Sequence, residues 1–186
     1  MIVLASASPR RSEIMTLMGL DFITHPASKE KNPSTELQPE EYTALSALYK
    51  AQDVAIRFKK EDIIIGADTV VALDGIILGK PKDEEDARRM LRMLSGKTHR
   101  VYTGFAILRG ETVITGCEYT DVDFRELTDI EIDNYVKTGE SMDKAGAYGI
   151  QGRGCVNITG IRGDYFNVMG LPACRIHKEL SKLYSV

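Results

Sequence analysis

Hydrophobic and polar positions follow two periods along this chain, and the changes of period predict alternating strands and helices. Residues 1–5, MIVLA, form a short apolar run that indicates a buried strand. The next segment, SASPRRSEIMTLMG, predicts a helix with Ser8 as its cap, Pro9 at its first position and Gly19 at its end. Apolar residues at helical spacing predict a second helix over about residues 40–58. This order of elements is typical of an α/β protein.

A hairpin and an amphipathic helix are predicted for the middle of the chain. Two apolar runs in DIIIGADTVVALDGIIL are separated by Asp74 and Gly75, a pair that favours a type I′ turn. Gly66 interrupts the first run and predicts a β-bulge there. In the segment PKDEEDARRMLRMLSG that follows, Asp83 is the predicted N-cap and Gly96 the end of the helix.

The second half of the chain predicts further strands, so we expect a sheet that is at least partly antiparallel. The segment HRVYTGFAILRGETVITGCEYTDVDF indicates two long strands that turn at Arg109 and Gly110. Thr128 and Glu131 form a capping-box pattern that opens another helix. Beyond the glycine-rich segment KAGAYGIQGRG, the pattern predicts a strand over 156–161, a strand over 165–168 and a helix after Pro172.

Length and composition favour one domain over residues 1–186 and exclude several kinds of partner. At 43% hydrophobic residues, the chain can bury a sizeable core. Its net charge of −3, with both signs interspersed, provides no basic surface for nucleic acid and no anchor for a membrane. The opening segment resembles neither a signal peptide nor a membrane helix, so we expect a cytoplasmic location. Three cysteines without CxxC spacing argue against a disulfide framework and structural zinc.

Two arginines stand at an unfavourable place, the first turn of the first predicted helix. Exposed N–H groups give that end of a helix a partial positive charge, which disfavours a cation there by about 0.3–1 kcal/mol. Arg10 and Arg11 are therefore either solvated surface residues or part of an anion site. Free N–H groups beside two guanidinium groups are suited to a phosphate.

A carboxylate and two lysines are the next candidates for chemistry. Asp68 lies inside the apolar run IIIGADTVVAL, where an unpaired charge costs several kcal/mol. It is either a structural residue at the Gly66 bulge or a carboxylate that binds Mg²⁺ or activates water. Lys50, beside the apolar stripe of the second predicted helix, and Lys80, after the hairpin, have the ordinary interpretation of surface lysines. Their alternative interpretation is as cations for the same site.

The polar loop and the glycine-rich segment contribute two weaker candidates. Glu30, between two prolines of the loop, is by itself a typical solvated residue. Gln151 in GIQGRG either belongs to a plain irregular turn or offers its amide donor and acceptor to a base. Arginines, lysines, carboxylates and a glutamine together are suited to a metal-assisted reaction on a polyphosphate that carries a base.

Five motifs extend this interpretation beyond what residue types allow. SASPRR, GADTVVALDG, GKPKDEEDARRMLRMLSGKTHRVYTG, DKAGAYGIQGRG and GDYFNVMGLP together resemble the Maf family of nucleoside triphosphate pyrophosphatases. The resemblance implies cleavage of a nucleotide between its α and β phosphates with a divalent cation, Mg²⁺ or Mn²⁺. It also implies a single α/β domain with an elongated mixed sheet flanked by helices, a central cleft like that of inosine triphosphate pyrophosphatases, and a homodimer.

The resemblance assigns catalytic roles by matching positions. Asp68 corresponds to the proton acceptor for the attacking water. Arg11, Lys50 and Lys80 correspond to phosphate contacts, which Ser8 at the helix start would join.

Metal ligation is implied at two acidic positions. Asp68 is one of them, and Glu30 matches the acidic position of the family's loop. The usual acidic neighbour before that loop position is Lys29 in this chain, which weakens the match for Glu30.

Three further positions separate two branches of the family. Arg10, Thr69 and Gln151 match the branch that hydrolyses dTTP and UTP rather than the branch that acts on 7-methylguanosine triphosphate. Glutamine suits this substrate class because its amide pairs with both the donor and the acceptor edge of uracil. The family also carries a septum-formation label, so a nucleotide-binding regulator of cell division without turnover is the alternative function.

Overall fold

The computed structural model describes residues 1–28, 31–34 and 36–184 of the chain. Within these ranges the strands are β1 (Ile2–Leu4), β2 (Phe22–Thr24), β3 (Ile63–Leu73), β4 (Ile76–Leu78), β5 (Thr98–Arg109), β6 (Thr112–Phe124) and β7 (Ile158–Arg162). The helices are α1 (Pro9–Leu17), α2 (Pro39–Ala55), α3 (Glu84–Leu94), α4 (Asp129–Val136), α5 (Tyr165–Met169) and α6 (Ala173–Tyr184). Two 3₁₀ turns span Ala145–Ala147 and Gly152–Asn157.

The strands form one mixed sheet flanked by helices, which confirms the predicted α/β class. Their order is β2-β1-β3-β5-β6-β7, and β4 pairs with β3 beside that path. β1 is parallel to β2 and β3, whereas β4 is antiparallel to β3 and β7 is antiparallel to β6. The hairpin between β3 and β4 turns at Asp74 and Gly75, with φ angles of 51° and 81°. Both angles are positive, as the predicted type I′ turn requires.

By their internal contacts, the residues divide into two compact units. The first unit contains residues 1–69, 103–118 and 170–186, and the second contains residues 70–102 and 119–169. The strands β3, β5 and β6 each contribute residues to both units. A single domain over 1–186 and a central cleft stay predictions.

In the first unit, α2 packs closely against the sheet. A buried cluster joins this helix to the strands: Val3, Ala5, Ala47, Ala51, Val54, Ile64, Ala106 and Leu108. A Cβ added to Gly66 would lie 2.3 Å from the carbonyl oxygen of Ala47. At Gly104 an added Cβ would lie 2.1 Å from the carbonyl carbon of Thr43. The close approach of a helix to two strands is thus a reason for glycine at both positions, and the bulge at Gly66 stays a prediction.

The core of the second unit is built on α3 and α4, which begin with the predicted caps. The side chain of Asp83 accepts a hydrogen bond from the Asp86 amide, and Thr128 and Glu131 form both bonds of a capping box. The core residues of α3 lie at helical spacing, as expected from the amphipathic pattern: Ala87, Met90, Leu91 and Leu94. The predicted caps of both helices and the amphipathic pattern of α3 are confirmed.

The strand predicted over 165–168 is wrong, because this segment is the helix α5. The side chain of Asp164 accepts a hydrogen bond from the Phe166 amide at 2.8 Å and opens a helical turn. A short apolar run does not distinguish strand from helix by its period, and this local polar contact favours the helix.

Among the described residues, no helix is long and apolar enough to cross a membrane.

Candidate active site

The start of α1 combines a positive helix end with two cations. Ser8 occupies the N-cap position and Pro9 the first helical position, as predicted, and the first turn contains no acidic residue. The Ser8 side chain makes no cap hydrogen bond, which corrects its expected role as a side-chain cap; instead its backbone N–H donates to the hydroxyl of Ser6 at 3.2 Å. Since Arg10 and Arg11 follow directly, this helix end is electrostatically suited to an anion.

The guanidinium group of Arg11 is held in place by three uncharged acceptors. Its Nε donates to the carbonyl oxygen of Gly170 at 2.8 Å, and its two terminal nitrogens donate to the hydroxyls of Ser6 at 3.1 Å and Thr69 at 3.2 Å. Burial lowers the pKa of Arg11, the negative charge of Asp68 opposes that shift, and Arg10 adds to it. The contacts therefore fix the orientation of the group without neutralising its charge.

Asp68 and Lys50 form an ion pair at a partly open position of β3. Lys50 Nζ lies 2.5 Å from Asp68 Oδ1, and the two side chains are 20% and 18% exposed. The strand is fully buried before and after this point, whereas Asp68 and Thr69 are half-buried. Lys50 is thus a partner of the carboxylate rather than a solvated surface lysine.

Thr69 connects this part of the site to β5, through a residue that the sequence pattern did not single out. Its hydroxyl accepts a hydrogen bond from Arg11 and lies 3.0 Å from the hydroxyl of Thr103 on β5. Thr103 is fully buried and Ser6 is 7% exposed. Both hydroxyl residues were missed, because a single Thr or Ser in a strand or loop leaves no periodic signal. The triplet SAS before α1 was the available hint for Ser6.

The second unit carries two further predicted site residues. Lys80 follows β4 and is exposed, and Gln151 is half-buried at the start of the 3₁₀ turn Gly152–Asn157. The Gly146 amide donates to the carbonyl oxygen of Gly79 at 3.1 Å, which ties the segment before Lys80 to the glycine-rich segment. Gln151 occupies the N-cap position of that turn, and its side chain makes no capping hydrogen bond with the described residues.

Comparison with known proteins decides the family. The family model described as "Maf-like protein" matches residues 1–183. The chain belongs to the Maf family. The resemblance carried by the five motifs is thereby confirmed.

Curated relatives of this Maf-family chain are named for one activity. A dTTP/UTP pyrophosphatase of Pyrococcus furiosus is 51% identical over 95% of this chain and 92% of its own length. Proteins with the same name from Agathobacter rectalis and Bacillus cytotoxicus are 48% and 46% identical, each over 98% of this chain and over 97% and 95% of their own lengths. Among solved structures, the Staphylococcus aureus Ham1 protein matches with a TM-score of 0.49 and 15% identity, over 84% of this chain and 79% of that one.

The structure places most of the predicted Maf site residues in two sets. Side-chain contacts in the first unit bring Arg11 to Thr69 and Lys50 to Asp68, and Ser8 and Arg10 lie on the same helix start as Arg11. The second unit holds Lys80 and Gln151. The proposed metal ligand Glu30 lies outside the described residues.

The donor set of the first unit suits a metal ion that arrives with its ligand. Across the described ranges, no group of three or more His, Cys, Asp or Glu residues is placed to hold a metal. Mg²⁺ is commonly bound by one or two carboxylates together with substrate phosphate oxygens, and Asp68 supplies one such carboxylate beside the phosphate-suited start of α1. This arrangement fits a metal–polyphosphate complex better than a closed protein cage.

Proposed function

We propose that this chain is a nucleoside triphosphate pyrophosphatase that hydrolyses dTTP and UTP to the nucleoside monophosphate and pyrophosphate. The observation that carries the proposal is the half-buried Asp68–Lys50 pair, whose carboxylate also acts electrostatically on Arg11 at the doubly cationic start of α1. A base for water and a site for phosphate are the two requirements of this hydrolysis. The names of the curated relatives support the choice of substrates.

The start of α1 is proposed to bind the phosphates. The backbone N–H groups of the first turn, the Ser8 hydroxyl and the guanidinium groups of Arg10 and Arg11 would donate to phosphate oxygens. Arg11 is held by Gly170, Ser6 and Thr69, so its donors are oriented before the ligand arrives. The binding energy is then used for the triphosphate rather than for ordering the side chain.

Asp68 is proposed to activate the water. Its carboxylate accepts a proton from a water molecule while that oxygen forms a bond to the α phosphorus, and the bond between the α phosphorus and the bridging oxygen breaks. Pyrophosphate leaves with the bridging oxygen. Lys50 donates a hydrogen bond to Asp68 Oδ1 and holds the carboxylate in a fixed orientation. We assign Lys80 as a further phosphate cation on the basis of the Maf motif.

Three residues are proposed to select the nucleotide. The Gln151 amide offers one donor and one acceptor to the edge of thymine or uracil, and a base that presents a different pattern would leave one of them unpaired. Thr69 and Arg10 complete the set by the Maf branch pattern, and Thr69 is also a direct contact of Arg11.

A divalent cation, Mg²⁺ or Mn²⁺, is proposed as the cofactor. Asp68 would hold it together with the substrate phosphates, and Glu30 is the second ligand that the family pattern implies. When bound, the cation supplies positive charge that stabilises negative charge on the phosphate oxygens. A homodimer and a cytoplasmic location stay predictions, and light scattering of the purified protein tests the first of them.

Pyrophosphate release from a nucleotide panel tests the function. The panel contains dTTP, UTP, CTP, GTP and 7-methyl-GTP, each with Mg²⁺, with Mn²⁺ and with a chelator. We expect release that needs the metal and is selective for dTTP and UTP. Tight binding of nucleotides without release from any of them would contradict the proposal and favour the division regulator.

A further inference from the structure

A carboxylate that the proposed mechanism does not use binds backbone amides of the glycine-rich segment. Glu140 Oε2 accepts a hydrogen bond from the Arg153 amide at 2.9 Å, and Glu140 Oε1 accepts one from the Gly154 amide at 3.2 Å. The hydroxyl of Tyr135 on α4 donates to the same Oε1 at 3.0 Å. All the donors in these three contacts are uncharged.

The two side chains hold the backbone on both sides of Gln151. Tyr135 accepts a hydrogen bond from the Gly149 amide at 3.2 Å, two residues before Gln151. Glu140 holds the amides that lie two and three residues after it. The residues from 149 to 154 are therefore tied at both ends to one pair of side chains.

Two glycines allow the segment to close around this pair. Gly152 has a φ angle of +69°, and a Cβ added there would lie 2.7 Å from Glu140 Oε2. At Gly154 an added Cβ would lie 2.9 Å from the Tyr135 hydroxyl and 2.3 Å from the carbonyl oxygen of Gly149. Glycine is required at both places because any side chain would displace the contacts themselves.

The protonation states fit these contacts. Burial alone would raise the pKa of Glu140, but the amides of Arg153 and Gly154, the Tyr135 hydroxyl and the charge of Lys144 outweigh it and hold the pKa below its ordinary value. Burial raises the pKa of Tyr135, so its hydroxyl keeps the proton that it donates to Glu140. At neutral pH the pair thus consists of an ionised acceptor and a protonated bridge.

We infer that Tyr135 and Glu140 are positioning residues for the Gln151 amide, so that discrimination between bases depends on a carboxylate that does not touch the nucleotide. The inference rests on the proposed function, which assigns Gln151 to the base. It extends that function by giving the reason why Gln151 presents its amide in one orientation.

The test measures discrimination in a set of matched variants. Two ratios between dTTP and GTP are determined. The first is the ratio of their kcat/KM values for pyrophosphate release. The second is the ratio of their dissociation constants in the presence of chelator, where turnover is not needed. We expect Glu140→Gln, which removes one acceptor oxygen, to lower both ratios about tenfold through weaker dTTP binding. Tyr135→Phe, which removes the bridge but keeps the ring, is expected to act in the same direction.

Two controls separate positioning from a general structural role. Glu131 accepts from Thr128 and pairs with Arg125, so Glu131→Gln removes another hydrogen-bonded carboxylate, on the helix α4 that carries Tyr135, and we expect it to leave both ratios unchanged. In a protein that already carries Gln151→Ala, adding Glu140→Gln is expected to cause no further loss of discrimination. Amide hydrogen exchange at residues 149–154 is expected to rise in Glu140→Gln and not in Glu131→Gln.

Three results would overturn the inference. They are an unchanged binding ratio in both Glu140→Gln and Tyr135→Phe, an equal loss of discrimination with and without Gln151, and unchanged exchange at residues 149–154. Absence of turnover in the parent protein would instead reject the proposed function alone, because the binding ratios and the exchange rates would still be measured.

Discussion

Arg11 and Glu140 are both charged groups held by three uncharged partners, and they differ in the hydrogen-bonding capacity that remains after these contacts. Arg11 donates to the carbonyl oxygen of Gly170 and to the hydroxyls of Ser6 and Thr69. Glu140 accepts from the backbone amides of Arg153 and Gly154 and from the hydroxyl of Tyr135. A guanidinium group has five N–H donors, so each terminal nitrogen of Arg11 keeps one hydrogen beyond these contacts. Glu140 uses both of its oxygens on the backbone and the side chain that shape its surroundings.

The difference teaches how to separate a charge that is proposed to bind a ligand from one that holds the protein's own backbone. Both groups are oriented by hydrogen bonds, but Arg11 has N–H donors beyond its three contacts with the described residues, and it lies beside Arg10 at the positive end of a helix. As the proposed function requires, we expect an anion to bind at this helix end. The charge of Glu140 serves backbone amides of its own chain, so removing it should disturb geometry rather than chemistry.

The largest expected effect comes from Asp68→Asn, which removes the proposed base without changing its size. We expect kcat for dTTP to fall by about 10²–10⁴-fold, since this is the usual contribution of a general base. Pyrophosphate release at saturating dTTP measures it. Glu118→Gln is the matched control, because Glu118 also pairs with a cation at 2.8 Å, Arg175. Near-normal turnover by Asp68→Asn would remove the carboxylate from the mechanism.

The second effect concerns the three contacts of Arg11. In Arg11→Lys the charge stays, but a single ammonium cannot span acceptors that lie around a planar group. We expect the free energy of unfolding to fall by about 2 kcal/mol and the KM for dTTP to rise, because hydrogen bonds of charged groups contribute about 1.5–3 kcal/mol each. Urea unfolding and steady-state kinetics measure the two quantities. An unchanged KM would show that the guanidinium group does not contact phosphate.

A smaller effect is expected from acid in the second unit, where His99 is buried against Tyr148. Their side chains are 2.7 Å apart, and burial lowers the pKa of His99 to about 4. An unfolded histidine titrates near 6.5, so the unfolded state takes up the proton first as the pH falls. The contribution of neutral His99 to the free energy of unfolding is therefore full above pH 6.5 and is lost as the pH falls towards 4.

Urea unfolding followed by circular dichroism measures this loss, since the chain has no tryptophan. We expect the free energy of unfolding to fall by about 1–2 kcal/mol between pH 6.5 and 4.5. The fall should be smaller in His99→Phe. An identical fall in both proteins would assign the acid sensitivity to other groups.

The smallest effect tests whether stability and selectivity are separate in the second unit. Thr128→Ala removes the capping box of α4, the helix that carries Tyr135. We expect a loss of about 1 kcal/mol in the free energy of unfolding, the usual contribution of an N-cap, with no change in the ratio of dTTP to GTP. A changed ratio would mean that any loosening of α4 alters discrimination, which would weaken the specific role of Glu140.

Local elements of this fold were predictable from sequence, because their signals lie within a few residues. The I′ turn at Asp74, the cap of α3 at Asp83 and the capping box at Thr128 are all such signals, and all three are confirmed. The short helix α5 was not predictable, because its apolar run fits two periods and its cap at Asp164 is a single contact.

The sequence allowed the candidate residues of the site to be predicted, but not the contacts between them. Arg11 and Asp68 stand out because a charge is placed where it is costly. The contact of Arg11 with Gly170 joins positions 159 residues apart and leaves no mark in the sequence pattern. Glu140 was missed for a related reason, since its partners are backbone amides, which every residue except proline provides.

Gly66 and Gly104 link the packing of α2 to the chemistry of the neighbouring residues. Lys50 lies on α2 and Asp68 follows Gly66 by two positions, so the height of the helix above the strands sets the reach of the lysine to the carboxylate. A methyl group at either glycine would push the helix outward and lengthen this ion pair before it changed the volume of the core. In evolutionary terms, we expect both positions to stay glycine, since any side chain there would move the helix that carries Lys50.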